Sequence, residues 1–190
     1  MTRLLTLTVV TVSFFVSLQI TKLLVVPVQD WFSLDPSYAA LLFLPHGIRV
    51  VSVYILGPLS GFLHILFAVI IIEVVLDISY LSIATIGDYL KLLVGAASAP
   101  LAYVLTKFFV GAKYLSLERV NIRTWRIILL VCFLSAVINS IGQSVLVYIF
   151  ALQTTSVLLV LKYMTGDFTG SVTIFLLLIY LFRKLERKSK

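Results

Sequence analysis

The sequence predicts an all-α integral membrane protein of about six transmembrane helices, since each crossing takes roughly 20 apolar residues and such runs recur along nearly the whole chain. Two further observations point the same way. Of the 190 residues, 61% are hydrophobic and 12% charged, and the mean hydropathy is +1.14, which leaves too little polar surface to coat a water-soluble globule of this size. The net charge of +7 is concentrated at the ends of apolar runs and in two short segments. That distribution is a topology signal, with anionic lipid as a secondary partner, and it does not point to nucleic acid.

The first span is expected over 4–26. Met1-Thr-Arg followed by an apolar run resembles a secretory signal, but no small-x-small cleavage site follows it, so the run is read as retained. Residues 27–36, with Asp30, Trp31, Asp35 and Pro36, form the clearest loop. The second span is expected over 38–56, interrupted at Pro45-His46-Gly47, and the third over 58–78, ending in a weakly polar reversal that contains Asp77. Spans over 83–110, 125–150 and 154–182 complete the set, the last interrupted between Gly166 and Gly170. The stretch 114–125 alternates apolar and charged residues, as a short helix lying along a membrane surface would.

Lysines and arginines are enriched in short cytoplasmic loops. Lys113, Arg119, Arg123 and Arg126 crowd one loop, while Arg183, Lys184, Arg187, Lys188 and Lys190 follow the last span. With Arg3 they place both termini in the cytoplasm of a bacterial cell, the protein lying in the inner membrane. The chain reads as one domain, 1–190, ending in a basic cytoplasmic tail, 183–190. The single cysteine, Cys132, allows no intrachain disulfide and reads as a packing residue.

Polar side chains inside apolar spans are expensive in lipid and therefore face protein or a water-filled cavity. Three groups qualify: Pro45, His46, Gly47 and Arg49 in the second span, Asn139 and Gln143 in the fifth, and Gly166, Asp167 and Gly170 in the sixth. Each lies near the middle of its span, so the groups are expected to meet, with Arg49 pairing with the opposite charge of Asp167. Pro45 lacks an amide hydrogen and leaves the carbonyl of Leu41 free for another partner. Gly166 and Gly170, like Gly57 and Gly61, allow close approach of a neighbouring helix. The pair Arg49 and Asp167 suits either a structural ion pair or a binding site, and Asn139 and Gln143 suit helix-to-helix contacts. His64 reads as a packed residue, while Glu73 and Asp77 share one face near a span end. No nucleophile elbow, zinc-protease motif, phosphate loop or dinucleotide fingerprint occurs, and His46 with His64 makes no metal set. No enzymatic activity, cofactor or metal is expected.

The segment Leu44-Pro-His-Gly-Ile-Arg-Val, the later Gly57-Pro58 and Gly61, and Tyr163-Met-Thr-Gly-Asp-Phe-Thr-Gly-Ser-Val together resemble elements of the bacterial membrane-associated sensor domains of the first described type. The resemblance extends over about Ala39 to Arg183. It departs at His46 and Arg49, where small or apolar residues are usual, and in having fewer spans. It implies a membrane fold that senses a signal and passes it to a cytoplasmic enzyme; a standalone member without an output domain is expected here. The expectation is a non-enzymatic, sensor-like inner-membrane protein that binds a small ligand or a membrane or cytoplasmic protein partner. A six-span transport component of a metabolite importer and a structural subunit of a larger membrane complex are the alternatives.

Overall fold

A backbone surrounded by lipid must satisfy its own amides and carbonyls, so apolar runs of this length fold as helices. The computed structural model describes residues 3–31, 40–76, 85–111, 115, 122–151 and 157–188, and among these there are helices and connectors but no strand. Helix α1 (Arg3–Ile20) passes through a π turn at Thr21–Val25 into α2 (Val26–Trp31); α3 (Leu44–Leu56), α4 (Pro58–Leu76), α5 (Ile86–Val110), α6 (Ile122–Ala151) and α7 (Val157–Lys188) follow. Four stretches, Leu4–Trp31, Ile86–Val110, Thr124–Phe150 and Val157–Lys184, are long and apolar enough to cross a membrane, while Leu44–Leu56 and Pro58–Ile72 are shorter apolar helices.

Local chemistry sets the ends. Gly57 stops α3 with φ +85° and ψ 165°, a conformation open essentially to glycine alone, and Pro58 begins α4 where no amide partner is needed. Thr85 caps α5 reciprocally with Asp88, accepting from the Asp88 amide while the Asp88 carboxylate accepts from its own at 3.0 Å.

Two expected interruptions are corrected. The backbone of α7 runs as unbroken helix through Gly166–Gly170, because glycine weakens a helix only modestly and the flanking apolar turns carry it. Pro45 does not break the middle of a helix either: it occupies the first turn of α3, where a missing amide hydrogen is tolerated. The irregular stretch lies just before it, at residues 40–43.

The central helix is the short α3, which packs against α1, α4, α5, α6 and α7. One apolar core gathers Val50, Val53, Ala99, Val131, Cys132 and Phe175, and a second gathers Phe14, Ile65, Ala68, Val69 and Ala96. Large side chains such as Leu23, Phe67, Phe108, Val157 and Phe182 point outward, as they do on a lipid-facing surface. Asp35, Pro36, Asp77, Lys113, Arg119 and Lys190 lie outside the described residues, as do the side chains of Glu73, Arg123 and Lys188 and all of 116–121 in the expected surface helix.

Candidate functional site

In the non-helical residues 40–43, backbone groups of Leu41 and Phe43 find partners elsewhere in the protein. The Leu41 amide donates to Gln29 Oε1 at 2.9 Å, the Leu41 carbonyl accepts from Thr169 Oγ1 at 2.6 Å, and the Phe43 amide donates to the Gly166 carbonyl at 2.9 Å. The Leu44 amide, at the start of α3, donates to Thr21 Oγ1 at 3.3 Å. Gly166 and Gly170 are the cradle: a Cβ at either would run into the carbonyl oxygens of Ala40 and Phe43 respectively. These glycines thus admit the non-helical strip and, at Gly170, the first residue of α3.

The π turn in the first helix serves the same strip. Residues eight apart on an unbroken α-helix are about 80° out of phase. One extra residue in a turn brings Thr21 and Gln29 back to within about 20° of each other. Both are buried, and both hold this strip or its junction with α3.

Behind the strip the polar residues of three helices converge. Asp167 on α7 is 2% exposed and its Oδ2 accepts a 2.6 Å hydrogen bond from Asn139 Nδ2 on α6. His46 Nδ1 on α3 stands 3.6 Å from the same oxygen, too far for a hydrogen bond, while His46 Nε2 meets Ser135 Oγ at 2.8 Å. Gln143, one turn beyond Asn139, donates to the Lys91 carbonyl on α5 at 2.9 Å and ties α6 to it.

Arg49 takes a different position from the one expected. It makes no ion-pair contact with Asp167 or any other described carboxylate, and its buried Nε has no hydrogen-bond partner. The guanidinium lies instead between two aromatic rings, 5.5 Å from the Phe14 centroid and 5.7 Å from that of Phe43. Cation–π attraction of this kind contributes roughly 0.5–2 kcal/mol according to how dry the site is. Beneath it, a Cβ at Gly95 would lie 3.1 Å from Nη2, so a side chain there would crowd the guanidinium.

Arg49, Asp167, Asn139 and Gln143 all line one cavity of about 380 Å³. Tyr163 lines it from α7, and Lys22, Gln29 and Asp30 line it from the first helix; Leu18, Val26, Ala40 and Phe43 supply apolar wall. The expected polar residues therefore meet, with Arg49 and Asp167 facing a shared space. Pro45, His46 and Gly47 are buried behind it, and Gly47 serves the close approach of α3 to the Gly170 backbone and Ile174. Ser135, His46 and Asp167 stand in the order of a nucleophile, a base and an acid, but Ser135 and His46 do not line the cavity. They form a polar bridge through the interior of the helix bundle. His64 bonds to Ser60 within its own helix, and Cys132 is buried with a free thiol.

Sequence reasoning missed Ser135, Thr21, Gln29, Tyr163 and the ring pair Phe14 and Phe43. Helical spacing carried a signal for two of them: Ser135 lies four before Asn139, and Tyr163 four before Asp167. Thr21 and Gln29 carried none, since their common face depends on the π turn. No family model matches the chain, and neither a curated protein nor a solved structure matches it.

Proposed function

We propose that the chain is a sensor-like, non-enzymatic helical protein of a bacterial inner membrane, crossing it six times with both termini in the cytoplasm, and that it binds a small ligand in the cavity faced by Arg49 and Asp167. The observation that carries this reading is the Arg49 guanidinium, held by aromatic rings in a cavity wall without a carboxylate in contact. A partly buried cation of this kind is costly unless something neutralises it, and a ligand is the natural candidate. Arg49 sits on α3, the helix that touches all five long neighbours, so a ligand drawn to it has a mechanical route to the whole bundle. A second reading, a compact transport component, draws on the non-helical strip at 40–43, because unwound backbone beside a midplane site is a feature of many secondary transporters.

Native mass spectrometry of gently extracted protein tests ligand binding. The expected spectrum shows a bound small molecule on the wild type and its loss on Arg49→Gln, with the helical circular dichroism retained. A wild type that is empty under gentle extraction counts against the reading, and a stoichiometric protein subunit in its place favours the assembly alternative.

A further inference from the structure

We infer that the ligand of this cavity is a small zwitterion with an apolar body, the chemistry of an apolar α-amino acid, its carboxylate held by Arg49 and its ammonium by Asp167. The inference rests on the ligand-binding reading and names the class of molecule. Its starting point is that Arg49 and Asp167, opposite charges on two neighbouring helices, line one cavity, which the exposed Lys22 and Asp30 also line, and that Arg49 and Asp167 make no ion-pair contact with each other.

Attraction between opposite charges grows as the medium becomes less polar, so a bare pair in a protein interior tends to close up. Here each partner is fixed by other contacts. Phe14 and Phe43 hold the guanidinium plane, and Asn139 pins Asp167 through Oδ2. The other carboxylate oxygen of Asp167 has no hydrogen bond among the described residues, and neither does Arg49 Nε. Capacity for hydrogen bonding is thus left on both charges.

An anion alone would satisfy Arg49 while facing the like charge of Asp167. A cation alone would meet the reverse problem. A molecule carrying both charges satisfies both residues at once, and an arginine fork suits a carboxylate in particular. Leu18, Val26, Ala40 and Phe43 give the cavity an apolar wall beside the polar Thr21, Gln29 and Tyr163, and that wall matches an apolar body. A volume of about 380 Å³ is at the small end of the range of ligand pockets, which fits a single metabolite of this size.

The test is calorimetric titration of the detergent-purified full chain with L-leucine, L-valine, L-isoleucine, L-methionine and L-phenylalanine, followed by analogues of leucine lacking one charge. Saturable binding of at least one amino acid is expected, together with affinity on the order of tenfold to a hundredfold weaker for isocaproate, which lacks the ammonium, and for isoamylamine, which lacks the carboxylate. In Arg49→Gln the preference for leucine over isoamylamine should disappear. Equal binding of either analogue and leucine to the wild type overturns the zwitterion. If none of the amino acids binds while native mass spectrometry shows another occupant, the zwitterion falls and the ligand reading stands. If none binds and the cavity is empty by mass spectrometry, both fall.

Discussion

Asp167 is buried with Asn139 donating to it at 2.6 Å, a direct bond of a kind that the Arg49 guanidinium, beyond ion-pair distance, does not make. Asn139→Ala leaves the carboxylate oxygen unsatisfied in the interior, for which roughly 1–3 kcal/mol of stability should be lost. A double-mutant cycle with Asp167→Asn should return a coupling of about 0.5–3 kcal/mol for this contact pair. The same cycle on Arg49→Gln and Asp167→Asn should return less, read from denaturation in detergent; the reverse order would show that the two charges interact directly. Opposite charges at matching positions in two spans were legible in the sequence, and so was their meeting in one place. The gap between them was not, because it depends on Phe14 and Phe43 capturing a long, flexible side chain, and nothing in residue spacing shows where such a chain will rest.

Apolar length made six helical segments legible, including the start of α4 at Pro58, whereas α5, expected from residue 83, begins at Ile86 after its threonine cap. The shape of the second segment was not legible: Pro45 and Gly47 suggest a break at 45–47, but the non-helical residues lie at 40–43, where only the partners of the backbone decide the path. Those partners come from Gln29, Thr169 and Gly166, remote in sequence and brought together only by packing. The glycines of α7 can be separated from ordinary turn glycines on this basis. Gly166→Ala pushes a Cβ into the Ala40 carbonyl, an overpacking that should lower stability by about 1–3 kcal/mol and shift Phe43, a wall of the cavity. Gly57→Ala meets nothing within contact distance but strains the turn, with a similar loss of about 1–3 kcal/mol. Thermal unfolding should therefore drop in both variants, while native mass spectrometry should show ligand loss in Gly166→Ala alone. Equal ligand retention in the two would separate the glycine cradle from the site.

For the whole molecule the topology turns on the second crossing. The 13 residues of α3 rise only about 20 Å at 1.5 Å each, short of a hydrocarbon core of about 30 Å. The four residues at 40–43 precede it as non-helical chain, which reaches up to about 13 Å when extended. Strip and helix together can cover the thickness, a crossing half strand-like and half helical. Lipid would not tolerate open backbone, and Gln29, Thr169, Gly166 and Thr21 take up backbone groups of Leu41, Phe43 and Leu44 from within the protein. A shallower path, with the strip dipping in and α3 returning to the same side, would instead place Asp30 and Leu59 on one surface. Cysteines at these two positions, both strongly exposed in the fold, distinguish the paths in a background where Cys132 is replaced. With six crossings and cytoplasmic termini, Asp30→Cys should react with a membrane-impermeant thiol reagent added to intact spheroplasts, and Leu59→Cys should react only after permeabilisation. Labelling of both from outside would show that the second segment re-enters without crossing. Labelling of Leu59→Cys alone would preserve the crossing and invert the orientation.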